Sequence, residues 1–182
     1  MKGVVFTEFF ELVEEKFGVI TLNEIIENSD LPVSGGSYTS VGTYPHSEMV
    51  NLVVELSKVS KIPVGDLLKV YGEYFFNMAT VSYPHFFEKM TNSLDFLETV
   101  ENHIHVEVLK LYSDAELPAF KTERVTENTL IMDYLSERKL SDFAEGLILG
   151  CSNFFKDKLN ITKTLLGAKD GSEVRFLIEL EQ

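Results

Sequence analysis

Two short stretches of the chain concentrate side chains able to do chemistry. In VENHIHVEVLKLY, residues 100–112, His103 and His105 stand two apart among aliphatic neighbours, and in YLSER, residues 134–138, Tyr134, Ser136 and Arg138 take alternate positions. A histidine offers a neutral nitrogen to a metal ion, while a phenol, a hydroxyl and a guanidinium together suit a carboxylate. Helical positions two apart point about 200° from one another, so His103 and His105 cannot grip one ion from a single helix. Measured from the mean direction of the surrounding apolar residues, His105 lies at roughly 80° and His103 at roughly 120°, which favours His105 as the inward one. An extended YLSER would put its three polar side chains on one face, because side chains alternate along a strand. The plain alternatives are a hydrogen-bonded core histidine and the solvated face of a strand.

The elements that must position these residues follow from periodicity. Val4, Val5, Phe9, Leu12, Val13 and Phe17 recur at steps of three and four, which predicts an amphipathic helix over 2–17 closed by Gly18. A shorter helix over 22–28 leads into LPVSGGSYTSVGTYP, a long loop by its Gly, Ser, Thr and Pro content. Residues 46–60 read as a helix, Pro63 breaks the chain before a second helix from Val64, and Pro84 ends that one. From Phe86 to Tyr112 the pattern predicts one long helix carrying both histidines, interrupted weakly near Asn92 and Ser93. Beyond Pro118, AFKTERVTENTLIMDYLSER reads as an antiparallel pair, Ser141 or Asp142 can cap a helix through DFAEGLILGCSNFFKDKL, and ITKTLLGAKDGSEVRFLIEL reads as a second hairpin. The fold class is α+β within one domain, 1–182: a helical N-terminal subdomain over about 1–62, then an α+β subdomain over 63–182 with roughly four antiparallel strands.

The 182 residues include 45% hydrophobic ones, enough for a sizeable core, and carry a net charge of −13 from 29 acidic and 16 basic residues. Such a surface repels phosphate backbones and anionic lipid, so neither nucleic acid nor membrane is an expected partner. Cys151 is the lone cysteine, which excludes an internal disulfide and a cysteine-rich zinc site and fits a reducing, cytoplasmic setting. Glu8, Glu11, Glu14 and Glu15 break the N-terminal stretch, so no export signal or membrane span is expected there. His46, His85, His103 and His105 form no H-x-x-x-H pair, which removes the metal hydrolases.

His105, Tyr112 seven residues later, Pro118 thirteen residues later, and then Tyr134, Ser136 and Arg138 in order resemble the H-NOX family, the haem nitric oxide and oxygen binding domains related to the sensor region of soluble guanylate cyclase. The opening MKG, the YP at Tyr83 and Pro84 and the segment GLILGCSNFF extend the resemblance over essentially the whole chain. It implies haem b buried between the two subdomains, with His105 as the sole protein ligand to iron. It implies that Tyr134, Ser136 and Arg138 hold the propionates and that Pro118 presses on the porphyrin. His103 has no part in the motif. Oxygen-binding members carry a distal tyrosine where this chain has Phe143, and Val5 and Phe9, which match distal positions, add no donor. The resemblance thus implies a sensor of nitric oxide and carbon monoxide that excludes dioxygen, is not an enzyme, has no structural zinc, and acts in trans on a histidine kinase or a diguanylate cyclase. The alternatives are an oxygen-binding haem sensor and a haem-free interaction module.

Overall fold

Apolar residues at steps of three and four wind the start of the chain into α1, Val4–Phe17, and bury Phe6, Phe9, Leu12 and Val13 on one face. Gly18, at φ 86, ends it by donating its N–H to the Glu14 carbonyl, in a conformation costly for any residue with a Cβ. The computed structural model describes residues 1–88 and 90–181. The chain divides into two units, 1–71 and 72 onward, and the division falls inside α4, Val64–Ser82, rather than at Pro63. No described helix is long and apolar enough to cross a membrane.

In the first unit, α2, Val19–Asn28, and α3, His46–Ser60, complete the helical core with Ile25, Met49, Leu52, Val53 and Leu56, each at most 2% exposed. The long loop between them stays in place because its tyrosines enter the core: Tyr38 stacks on Phe6 with ring centroids 4.3 Å apart, and Tyr44 meets Phe6 edge-on at 5.7 Å. Fully buried Glu48 ties down the backbone, accepting from the Val33 N–H at 2.8 Å, the Ser34 N–H at 3.2 Å and the Tyr38 hydroxyl at 2.9 Å. Burial drives its carboxyl upward, but hydrogen bonds from Ser34, Val33 and Tyr38 outweigh that and hold it below the ordinary glutamate value. A lowered folded pKa means stability present above the ordinary value and lost as pH falls through the folded one. Glu48→Ala is expected to cost about 1–3 kcal/mol in urea denaturation, since it removes the acceptor of two part-buried N–H groups and of the Tyr38 hydroxyl. Glu48→Gln is expected to flatten the acid dependence of stability.

The second unit is built on a sheet in the order β1-β2-β4-β3, all antiparallel, from β1, Ala119–Thr126, β2, Thr129–Leu135, β3, Leu159–Leu165, and β4, Glu173–Leu180. Both expected hairpins form. Alternation sends Leu130, Met132 and Tyr134 of β2 and Val174, Phe176 and Ile178 of β4 to one buried face, while Asp133 and Arg175 pair at 2.7 Å on the other. Against the buried face pack Leu94, Phe96 and Leu97 of α5, Ser93–Thr99, and Ala144, Ile148 and Cys151 of α7, Ser141–Phe155.

Three sequence expectations change. The long helix does not begin at Phe86: a short 3-10 turn spans Pro84–Phe86, and Asn92 starts α5 by accepting the Asp95 N–H, so the local cap overrides the longer apolar pattern. The helical run then passes through a π segment, Val100–Ile104, before α6, His105–Leu111. Neither Ser141 nor Asp142 caps α7; Leu140 sits at the cap, its N–H held by the Tyr134 hydroxyl at 3.0 Å, while Asp142 pairs with Lys163 at 2.5 Å.

Candidate functional site

His105 stands at the junction of the π segment and α6, and its backbone N–H reaches the Val100 carbonyl five residues back, the wider π pattern. That extra residue in the turn shifts the phase on which the sequence reading relied, yet His105 is still the inward one: its side chain is 15% exposed, whereas His103 is exposed. One turn earlier Glu101 places Oε2 3.1 Å from His105 Nδ1, and the same oxygen accepts the Phe120 N–H at 3.0 Å. Burial pulls the His105 pKa below the ordinary histidine value, and the charge and hydrogen bond of Glu101 oppose this without cancelling it. The ring is therefore neutral near pH 7. With Nδ1–H turned to Glu101, Nε2 carries the lone pair a metal would take.

The three polar residues of YLSER converge by a route that strand alternation did not foresee. β2 ends at Leu135, so Tyr134 lies in the strand while Ser136 and Arg138 lie in the turn that follows. The turn is closed by Ser136 Oγ accepting the Arg138 N–H at 3.2 Å and by the Lys139 N–H to the Ser136 carbonyl at 3.3 Å, with Lys139 at φ 56. Tyr134 is 3% exposed. Burial pushes its phenol up, against the opposing hydrogen bond of Ser136 and charge of Arg138, so the phenol stays a proton donor beside a hydroxyl and a guanidinium. Arg138 already holds a carboxylate: its guanidinium donates to Glu116 Oε2 at 2.7 Å and to the Glu116 carbonyl at 2.8 Å, and the Glu116 side chain is 84% exposed. Pro118 is half-buried in the segment that leads from α6 into β1. The motif tyrosines Tyr83 and Tyr112 bring their hydroxyls within 3.4 Å.

Phe143, in the first turn of α7, meets Phe75 of α4 edge-on at 5.7 Å. The two helices can lie this close because Gly72 faces Gly146: a Cβ on Gly72 would sit 2.3 Å from the Phe143 carbonyl oxygen and 2.8 Å from Gly146 Cα. In the first unit Phe9 is 1% exposed against Tyr71, whose hydroxyl donates to the Val5 carbonyl. Sequence reasoning missed Glu101, Glu116, Phe75 and Gly72. Only Glu101 had a local signal, its position four residues before His105 on the same helical face.

A neutral, half-buried imidazole with one nitrogen free for a metal, and a guanidinium clamp that binds a carboxylate beside a protonated phenol, match the needs of a haem: a ligand for iron and a seat for propionates. On this α+β scaffold these features fit a haem-binding domain. The chain belongs to the Haem-NO-binding family, whose model matches residues 2–163. Among solved structures, the Fe(II) unliganded H-NOX protein from K. algicida is 42% identical, with a TM-score of 0.95 over 100% of this chain and 97% of that one. The S. oneidensis H-NOX in the Fe(II)NO ligation state is 26% identical at a TM-score of 0.91, covering 100% of both chains. The IWP-051-bound H-NOX from Shewanella woodyi in the Fe(II)CO state is 40% identical at 0.82, over 98% and 94%. Comparison with curated proteins gave no match.

Proposed function

We propose that the protein senses nitric oxide and carbon monoxide at ferrous haem b, excludes dioxygen, and relays the state of its site to a separate histidine kinase or diguanylate cyclase in the cytoplasm. His105 is the sole protein ligand to iron in this reading, Tyr134, Ser136 and Arg138 hold the propionates, and Pro118 lies against the macrocycle. Phe143 belongs to the gas-binding side. A bound haem would supply a ferrous iron able to take a diatomic gas. The observation that carries the selectivity is the Phe143–Phe75 pair, ring against ring at 5.7 Å. Neither ring has a hydrogen to donate to the negative charge that bound dioxygen acquires, whereas nitric oxide needs no such donor. The Fe(II)NO and Fe(II)CO states of the S. oneidensis and S. woodyi relatives support the choice of gases.

If His105 holds the iron, it would tie the helical run Ser93–Leu111 to the cofactor, and loss of that tie would change what holds the run and which surface a partner enzyme meets. No structural zinc is assigned: the single cysteine, Cys151, is fully buried, and burial pushes its thiol up to about 12. The reduced holoprotein is expected to form no stable oxy complex in air and to change to a five-coordinate spectrum with nitric oxide. A stable oxy complex of the reduced protein in air would sink the selectivity.

A further inference from the structure

Glu101 gives one carboxylate oxygen to two donors from different elements: His105 Nδ1 at 3.1 Å and the backbone N–H of Phe120, in β1, at 3.0 Å. The second bond matters because it stops the side chain from rotating away and aims the oxygen at the ring. The rings of Phe120 and His105 add a contact at 5.7 Å between centroids. Phe120 also follows Pro118 by two residues, so the strap joins the helix bearing His105 to the segment that delivers that proline. None of this is required by helix formation, since a residue at the Glu101 position could point to solvent.

A carboxylate on the far nitrogen of a metal-bound histidine fixes its tautomer and makes the near nitrogen a stronger donor. We propose that Glu101 is a positioning residue of the haem site that acts through His105, strengthening the bond from His105 to iron and so delaying the release of His105 when gas binds. The proposal rests on His105 being the iron ligand. It also assigns Phe120 a role, through its backbone N–H, in holding Glu101 in register with the ring.

The test uses the full-length ferrous holoprotein and resonance Raman spectroscopy of the iron–histidine stretch. Wild type is expected to show the band at the highest frequency, Glu101→Gln lower because an amide oxygen is a weaker acceptor, and Glu101→Leu lowest. The midpoint potential is expected to rise in the same order, and loss of His105 under nitric oxide to speed up by about 10-fold in Glu101→Leu. Glu98→Gln, an exposed change on the same helix, is expected to leave all three unchanged. If Glu101→Leu does not load haem, Glu101→Gln, which keeps the size and one acceptor oxygen, reads the same band. A purely structural strap would lower thermal stability and leave band and potential in place, and that result overturns the proposal. Absence of the band in wild type, or its persistence in His105→Gly, refutes instead the assignment of His105 as ligand.

Discussion

His105→Gly purified in the ferrous state is expected to lack the iron–histidine band and to hold haem more weakly by more than about 100-fold. Loss of a mere hydrogen-bond partner of a metal ligand already costs about 10–100-fold, and this variant removes the ligand itself. The rest of the cradle stays: Tyr134, Ser136 and Arg138 belong to β2 and its following turn, not to the helix. Added imidazole, which can enter the space vacated by the side chain, is expected to restore a histidine-like spectrum without restoring the response of the helix to nitric oxide. Stability should follow occupancy. A ligand at about 100 times its Kd stabilises by about 2.7 kcal/mol, so the wild-type holoprotein should melt several degrees above the variant and lose that margin when haem is withheld. His103 is exposed two residues away, and His103→Gly is expected to leave spectrum and melting temperature near wild type. Equal spectral loss in both variants would refute the assignment.

Gly72→Val is expected to lower stability by about 3 kcal/mol or more, at the upper end of what overpacking costs. The reason is what the new side chain meets. Its Cβ would lie 2.3 Å from the Phe143 carbonyl oxygen and 2.8 Å from Gly146 Cα, both backbone atoms that no rotamer change can move aside. The α4 and α7 helices must part, and Phe143 moves with its own backbone. For a domain of this length the cost corresponds to a fall of roughly 6–12 °C in Tm by thermal denaturation. Gly18→Ala separates close approach from backbone conformation: no atom lies within 4 Å of a Cβ there, but φ is 86. Its cost is expected to be smaller, about 1–3 kcal/mol, because φ 86 with ψ 160 is a backbone region that essentially only glycine occupies. A Gly72→Val protein with wild-type Tm would show that the two helices are not in this contact in solution.

Much of the fold was legible because local patterns carry it. The three-and-four spacing of Val4, Val5, Phe9, Leu12, Val13 and Phe17 predicts α1, of which Phe9, Leu12 and Val13 are buried together with Phe6, which that reading left out. Alternation in TLIMDYL and EVRFLIEL fixes which face of β2 and β4 is buried, whatever the partner. The preference for His105 over His103 was likewise a matter of angle along one helix. It survived the π segment because Val100–Ile104 lies before both α6 and the ring of His105, and changes how the turn is closed without turning His105 outward. The family resemblance rested on the order of His105, Pro118 and YLSER, which is also a property of the chain alone.

What periodicity could not supply is any relation between residues far apart in the chain. The strand reading of YLSER was wrong in its geometry although its three side chains do converge, because β2 ends at Leu135 and a turn with Lys139 at φ 56 completes the cluster. Glu116 on Arg138, 22 residues apart, and Phe120 on Glu101, 19 apart, depend on where the segment after α6 meets the sheet. The Gly72 approach to Gly146 depends on how two helices cross. The sequence by itself therefore determined most of the elements, their buried faces and which of the two histidines turns inward, since each is set by residues within a few positions of one another. Only the tertiary structure decided the carboxylate behind that histidine, the anion on the arginine and the glycine contact that places Phe143, since hydrogen bonds and close packing between distant segments exist only once the chain has closed on itself.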